Sequence, residues 1–207
     1  MSRQTIDTPT GPAWVDLDLA PDSTVLLVIG HGAGGSVDSA DLVSIRDACV
    51  PAGISVARVT QPYRVAGKKA PPTGASLDQA WSAVIATLGR RKATKDLRFV
   101  FAGRSSGARV ACRTSADETL EPPAAAVVAI AFPVHPPGKP EKSRLDELDS
   151  ATAPVLVVQG RSDAFGQPPK RRGRTIVFVD GDHSLKKSAA EVGPIVAQWL
   201  AENLSGA

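Results

Sequence analysis

Six short runs of apolar residues, separated by helix-like stretches, limit the fold of this chain more than any other feature. The runs are nearly continuous in Val, Ile, Leu and Phe, which is typical of strands covered on both faces of a sheet. They comprise residues 24–30, 54–59, 97–103, 125–132, 154–160 and 175–180. Residues 14–19 add a candidate edge strand near the N-terminus.

A helix is predicted over residues 77–88, where apolar side chains recur at helical spacing. Ser76 and Gln79, three residues apart, match a capping box at its start. An earlier helix is indicated by the apolar positions of residues 42–49 and would end at Gly53.

The last helix is indicated by residues 192–200, but Pro194 lies inside the pattern. Either the helix starts near Gly193 or it kinks there, because proline cannot donate the helical hydrogen bond. Regular alternation of strands and helices predicts a single α/β domain over residues 1–207, a three-layer sandwich with a mostly parallel sheet. In such sheets, ligands bind where loops leave the carboxyl ends of the strands.

Composition excludes several classes of protein. Apolar residues make up 43% of the chain and charged residues 22%, which is typical of a globular protein. The net charge of +3 is too small to require a nucleic-acid partner. Neither a signal-peptide core nor a membrane-length apolar run is visible, so we expect a soluble cytosolic protein of undetermined oligomeric state. Cys49 and Cys112 have no metal-site spacing, and we predict no metal and no cofactor.

The sequence Gly103-Arg104-Ser105-Ser106-Gly107 satisfies the G-x-S-x-G pattern directly after an apolar run. A helix-compatible stretch follows at once, as a nucleophile elbow requires. Ser105, in the middle position, is therefore the candidate nucleophile, and the backbone N–H of Ser106 would face an oxyanion. The alternative is that the serine only caps the following helix.

A serine hydroxyl needs a base to take its proton and an acid to orient that base. In strand–helix hydrolases the order along the chain is Ser, acid, His. His183 follows the last strand run and Asp163 follows the run before it, so both stand at expected positions. Asp180 and Asp182 are rival acids, ranked lower because they are too close to His183 in sequence to reach its far ring nitrogen easily. The alternatives are a solvated loop histidine and a turn aspartate.

Residues 30–35, GHGAGG, follow the first long strand run. Glycines allow close approach of backbone N–H groups to a substrate. The amides of Ala33 and Ser106 are the predicted oxyanion donors. Phosphate binding is the other use of such loops, but the endings of a P-loop and of a dinucleotide fingerprint are missing.

With these motifs, the chain resembles small bacterial α/β-hydrolases near dienelactone hydrolase. It also resembles the hydrolase-like domain of a subunit of the nonspecific-lethal histone acetyltransferase complex. The matching segments are GHGAGG, QPYR, GRSSGAR, FPVHPPGKPEKSR, QGRSDAFG and GDHSLK. One departure is visible, since the family usually has a Met-Gly-Gly-like run after the serine and this chain has Ser106-Gly107-Ala108.

The resemblance implies a minimal α/β-hydrolase fold. The segment 133–153, where many hydrolases insert a cap domain, is short here and predicts an open, shallow pocket. Within or beside the matching segments, candidate substrate-binding residues are His31, Gly32, Tyr63, Arg64, Arg104 and His135.

We therefore expect a serine hydrolase that acts on a carboxylic ester or thioester. A catalytically idle scaffold that binds a protein partner is the alternative. Cations near the expected site suggest an anionic substrate, unless they form only a soluble rim. They are Lys68, Lys69, Arg104, Lys139, Lys142, Lys170, Arg171, Arg172, Lys186 and Lys187.

Overall fold

The apolar runs form the centre of a mixed sheet. The structure is a computed structural model that describes residues 2–204. Its strands are β1 (Ser2–Thr8), β2 (Gly11–Asp18), β3 (Val25–Gly30), β4 (Ser55–Thr60), β5 (Arg98–Arg104), β6 (Ala124–Ile130), β7 (Val155–Gly160) and β8 (Arg174–Val179). The strand order is β1-β2-β4-β3-β5-β6-β7-β8. β1 and β2 are antiparallel to their neighbours, and β3 to β8 run parallel.

Helices cover both faces of this sheet. They are α1 (Ala40–Cys49), α2 (Pro62–Val65), α3 (Gly74–Leu88), α4 (Ser106–Ser115), α5 (Leu145–Asp149) and α6 (Ala189–Leu204). Helices α1 and α6 pack on one face, while α3, α4 and α5 pack on the other. Strand β5 shows why both faces are apolar: Phe99 and Phe101 enter one core, and Val100 and Ala102 enter the other. The predicted three-layer fold is confirmed.

No cap domain interrupts the sheet within the described residues. Between β6 and β7 the chain forms a loop and the short helix α5. The carboxyl ends of the central strands therefore remain open above the sheet.

Strand β2, predicted as an edge strand, is covered by β1, which was not predicted. The sequence of β1, SRQTIDT, is polar, and Ile6 is its one buried residue among Ser2–Thr8. Such a strand lacks the apolar signal that reveals the central strands, and its place depends on pairing with β2.

The N-cap of α3 differs from the prediction, and the start of α6 excludes one of the two alternatives given for Pro194. The N-cap of α3 is Thr73, whose Oγ1 accepts a hydrogen bond from the backbone N–H of Ser76, so the capping box at Ser76 is wrong. Pro194 lies well inside α6, which begins at Ala189. The carbonyl of Ala190, four residues before the proline, instead accepts a hydrogen bond from Ser44 Oγ of α1 at 3.2 Å.

Candidate active site

Ser105 lies at a sharp turn between β5 and α4. Its φ of 52° and ψ of −108° are strained for a residue with a side chain. The turn is possible because glycines stand on both sides: a Cβ on Gly103 would lie 2.1 Å from the carbonyl carbon of Gly107. A Cβ on Gly107 would in turn lie 2.6 Å from the oxygen of Gly30. Because the backbone segments at Gly30, Gly103 and Gly107 pack this closely, the Ser105 side chain projects above the sheet.

The structure brings three polar side chains into one hydrogen-bonded line at the carboxyl ends of β5, β7 and β8. Nε2 of His183 lies 2.8 Å from Oγ of Ser105. Nδ1 of the same ring lies 2.9 Å from Oδ2 of Asp163. Since an ionised carboxylate only accepts, Nδ1 donates to Asp163 and Nε2 is left to accept the serine proton.

The Asp163 carboxylate is held from several directions and its side chain is fully buried. Oδ1 accepts a hydrogen bond from the backbone N–H of Phe165 at 2.8 Å. Oδ2, which faces His183, also accepts from Nε2 of Gln159 at 2.8 Å. Sequence reasoning missed Gln159, although a polar residue at the end of an otherwise apolar strand is a visible signal.

The rival acids face elsewhere. Asp182 accepts hydrogen bonds from the backbone N–H and hydroxyl of Ser184 at 2.9 and 2.5 Å, and these bonds lower the pKa of Asp182. Asp180 is largely exposed and lies 3.6 Å from Arg161. Neither contacts Nδ1 of His183, which is occupied by Asp163.

Phe165 stacks on the imidazole of His183, with ring centroids 4.0 Å apart and an interplanar angle of 28°. Its carbonyl accepts a hydrogen bond from the backbone N–H of His135. The ring of His135 lies against Gly166, where a Cβ would come within 2.6 Å of Nε2. The loop that contains His135 therefore packs against the acid loop, which carries Asp163 and Phe165, and supports its position. Phe165 was also missed, because its sequence position gives no sign of stacking.

The glycine-rich loop lies against the elbow. A Cβ on Gly32 would stand 3.5 Å from Cβ of Ser105. The N–H of Gly35 donates to the carbonyl of Gly32, so Ala33 occupies the exposed tip of a turn. Ser106 is the first residue of α4, and the N–H groups of a first helical turn have no acceptor within the helix.

Arg104 reaches behind the elbow. Its Nη2 donates to the carbonyl of His183 at 2.9 Å. Its Nε lies 2.8 Å from Oδ2 of Asp41, a buried carboxylate in α1, in an ion pair not aligned as a hydrogen bond. The guanidinium thus connects the histidine loop to α1.

Two more of the predicted substrate contacts take part in internal bonds. His31, only 3% exposed, accepts from the N–H of Gln61 at Nε2 and donates to the carbonyl of Gly32 at Nδ1. Burial is the main cause of its lowered pKa, so the ring is neutral. Arg64 donates to the carbonyls of Gly35 and Lys68.

Tyr63, another predicted substrate contact, is mostly buried beside His31, with ring centroids 5.9 Å apart. Burial raises the pKa of Tyr63, which keeps its hydroxyl protonated at neutral pH.

A sequence profile of the alpha/beta hydrolase domain matches residues 23–201, which is most of the chain. The chain belongs to the alpha/beta hydrolase family. Among curated proteins, none matches it in sequence.

Solved alpha/beta hydrolase structures share its fold. A lidless alpha/beta serine hydrolase from Xanthomonas campestris is 24% identical, with a TM-score of 0.77, covering 100% of this chain and 96% of that one. Est1E from Butyrivibrio proteoclasticus is 16% identical, with a TM-score of 0.78 and full coverage of both chains. A dienelactone hydrolase from Anabaena variabilis is 16% identical, with a TM-score of 0.76, covering 98% and 97%.

One group of predicted rim cations in this alpha/beta hydrolase lies at the wrong end of the sheet. Lys170, Arg171 and Arg172 precede β8, and the carbonyl of Gly173 accepts a hydrogen bond from the N–H of Val155 at the start of β7. These are the amino ends of the strands, opposite the Ser105 end. The prediction that this group rings the site is wrong because the loop it occupies enters β8 instead of leaving a strand.

Both thiols of the alpha/beta hydrolase are buried. Burial raises the pKa of Cys49 and of Cys112 to about 12, so each remains a neutral thiol at neutral pH. Among residues 2–204, no His, Cys, Asp or Glu side chains are grouped as metal ligands. None of the helices in that range is long and apolar enough to cross a membrane.

Proposed function

We propose that this protein is a serine hydrolase that cleaves a carboxylic ester or thioester. The observation that carries the proposal is the line of hydrogen bonds from Ser105 Oγ through His183 to Asp163, with lengths of 2.8 and 2.9 Å. That line gives the serine a base, and gives the base an orienting acid.

In the proposed reaction, Oγ of Ser105 attacks the acyl carbon while Nε2 of His183 takes the hydroxyl proton. The bond from the acyl carbon to the leaving oxygen or sulfur then breaks, and His183 returns the proton to the departing group. Water attacks the acyl-serine in the second half and loses a proton to His183. The bond from Oγ of Ser105 to the acyl carbon then breaks, His183 returns the proton to Oγ, and the acid leaves. Asp163 stabilises the imidazolium that forms in both halves.

The negative oxygen of each tetrahedral intermediate would accept hydrogen bonds from the backbone N–H groups of Ala33 and Ser106. Support comes from the contact of Gly32 with Ser105 and from the position of Ser106 at the start of α4. A helix start also favours negative charge through its aligned peptide dipoles. Loss of such a donor typically costs about 2.7–4 kcal/mol of transition-state stabilisation.

A scaffold without catalysis is less well supported, because it has no need of an oriented base beside a strained serine. The thiol chemistry of dienelactone hydrolase is also disfavoured, since both cysteines are buried and protonated. Substrate contacts from Gly32 and His135 remain part of the proposal, as both flank the serine or its acid loop.

The test is labelling with a fluorophosphonate probe together with a screen of p-nitrophenyl esters and acyl-thioesters of graded length. Ser105→Ala is expected to abolish labelling and hydrolysis. Ser106→Ala is the matched control and should retain both, because position 106 contributes its backbone N–H. If wild-type protein takes up no probe and cleaves no ester, the hydrolase proposal is wrong and the scaffold alternative stands. If Ser106→Ala is the inactive variant, the nucleophile has been misassigned.

A further inference from the structure

A groove lies beside the candidate active site, between the β1–β2 turn and the segment that joins α2 to α3. Its volume is about 400 Å³, within the range of small-molecule sites. Its walls are mostly prolines and small or apolar side chains, with a few polar ones: Thr10, Gln61, Pro62, Tyr63, Ala66, Lys68, Ala70, Pro71, Pro72, Ser76 and Leu77.

This groove adjoins the elbow. A second, much smaller cavity is lined by Gly30 and Ser106 and shares Gln61, Tyr63 and Leu77 with the groove. Tyr63 and Gln61 therefore stand between the groove and the backbone that would bind the oxyanion. The Lys68 loop also lies beside the glycine loop, because a Cβ on Gly34 would stand 3.6 Å from the carbonyl oxygen of Lys69. A substrate held at Ser105 would reach the groove along the glycine loop.

The sheet order indicates which half of the substrate enters. His183 follows β8 and Asp163 follows β7, on one side of Ser105. Gln61 follows β4, on the other side. Because the histidine must return its proton to the leaving atom, the leaving group lies on the His183 side. The acyl half then points toward β4 and the groove.

The charge in the groove is positive. Lys68 is exposed and forms no ion pair with a carboxylate anywhere in residues 2–204, and none of the described residues that line the groove is acidic. Its backbone is held in place, because Arg64 donates to the carbonyl of Lys68 and also to that of Gly35. The loop is thereby fixed to the glycine loop, with the lysine at the groove.

We propose that the groove binds the acyl half of the substrate, and that this acyl group has a short apolar body ending in an anion that pairs with Lys68. The inference rests on the proposed hydrolase activity and names its substrate class. Apolar contact with the proline walls supplies binding energy, at roughly 0.8 kcal/mol per buried CH₂. The lysine then selects a carboxylate over a methyl end.

The first test compares p-nitrophenyl hydrogen adipate with p-nitrophenyl hexanoate, which has the same number of acyl carbons. Wild-type protein should prefer the adipate ester in kcat/KM at low ionic strength and lose the preference at high salt. Lys68→Met should lower the adipate-to-hexanoate ratio about fivefold at low ionic strength. Lys170→Met, an exposed lysine at the opposite end of the sheet, is the matched control and should leave the ratio unchanged.

The second test fills the groove. Ala70 is exposed and lines it, so Ala70→Trp should lower the ratio of hexanoate to acetate hydrolysis about tenfold through lost apolar contact. Ala201→Trp, at an exposed position of α6, controls for the added indole. Circular dichroism would verify that each variant is folded.

If wild type and Lys68→Met each have equal kcat/KM values for the adipate and hexanoate esters, the proposal that the acyl group ends in an anion is overturned. An unchanged chain-length preference in Ala70→Trp would overturn the groove itself. Acetate hydrolysis and its loss in Ser105→Ala report separately on the hydrolase proposal. Calorimetric titration of Ser105→Ala with the adipate ester, with and without Lys68→Met, measures the affinity of the groove for the ester in the absence of catalysis. If the ester does not bind, the inference is also overturned.

Discussion

Gln159 donates a hydrogen bond of 2.8 Å to Oδ2 of Asp163, the same oxygen that accepts from His183. The Gln159 amide is buried, and its nitrogen also lies near the carbonyls of Phe132 and Gly166. All three neighbours are acceptors, which fixes the orientation of the amide. Gln159 thus joins the end of β7 to the acid loop and aims the carboxylate at the imidazole.

We expect Gln159→Met to lower kcat by about 10- to 100-fold with little change in KM, by analogy with the loss of an outer hydrogen-bond partner of a metal ligand. Methionine matches the length of glutamine but lacks the donor. The low-field proton NMR resonance of the His183–Asp163 hydrogen bond should shift or broaden in this variant.

The matched control is Gln167→Met in the same loop, whose exposed side chain donates to the carbonyl of Arg161. It should leave kcat and the proton resonance unchanged. A loss of kcat that merely tracked a loss of folded protein, with the resonance intact, would assign Gln159 a structural role only.

Asp163→Asn should lower kcat by about 10³- to 10⁴-fold, because an amide can force the imidazole into the wrong tautomer. Asp182→Asn, in the histidine loop, should lower it much less, since Asp182 faces Ser184. Steady-state kinetics on one p-nitrophenyl ester would compare the two. Rates in the reverse order would move the orienting acid to Asp182.

The Arg104–Asp41 pair should contribute to stability. Removing one member of a buried ion pair leaves the other charge uncompensated, which typically costs about 3–5 kcal/mol. Arg104 keeps some solvent contact, so we expect Arg104→Met to lower the free energy of unfolding by about 3 kcal/mol. Urea unfolding would measure it.

Adding Asp41→Asn to Arg104→Met should restore part of that loss, because the buried charge is then removed. Hydrolysis by both variants should stay below wild type, since the hydrogen bond from Arg104 to the carbonyl of His183 is missing. A double variant less stable than the single one would show that the charge of Asp41 is not the cause.

Glu147 of α5 should make stability depend on pH. Burial raises its pKa, but hydrogen bonds and charge from Arg109 and Arg113 outweigh this and hold the pKa below the usual 4.5. A lowered acid pKa stabilises the fold above the unfolded value of 4.5, and this contribution is lost as pH falls through the folded pKa.

At pH 7, Glu147→Gln should therefore lose about 1–2 kcal/mol of unfolding free energy, allowing for solvent screening. The difference from wild type should shrink as the pH falls below 4.5. Urea titrations over this pH range would follow it, with the exposed Glu141→Gln as the control. A difference that stays constant with pH would mean that the Arg109–Glu147–Arg113 contacts do not depend on charge.

Features that depend on neighbours in the chain could be predicted from the sequence. The central strands are apolar throughout because both faces are covered, and the strand-to-helix turn at Ser105 follows from glycines two residues away on each side. The sequence also predicted that Ser105, Asp163 and His183 each follow a strand, and they lie after β5, β7 and β8. Strand β1 was not predicted because its sequence is polar and gives a weak strand signal. The N-cap Thr73 was missed because the nearby Ser76 is also a residue type that caps helices.

Features that depend on contacts between distant residues were decided only by the tertiary structure. The choice of Asp163 over Asp182 as the partner of Nδ1 depends on where the β7 and β8 loops converge. The placement of Lys170, Arg171 and Arg172 at the amino ends of the strands depends on the register of β8 against β7. The support of Asp163 by Gln159 depends on a bond across the acid loop. Local sequence restricts the backbone of each turn, but loop direction is set by strand pairing, which brings together residues far apart in the chain.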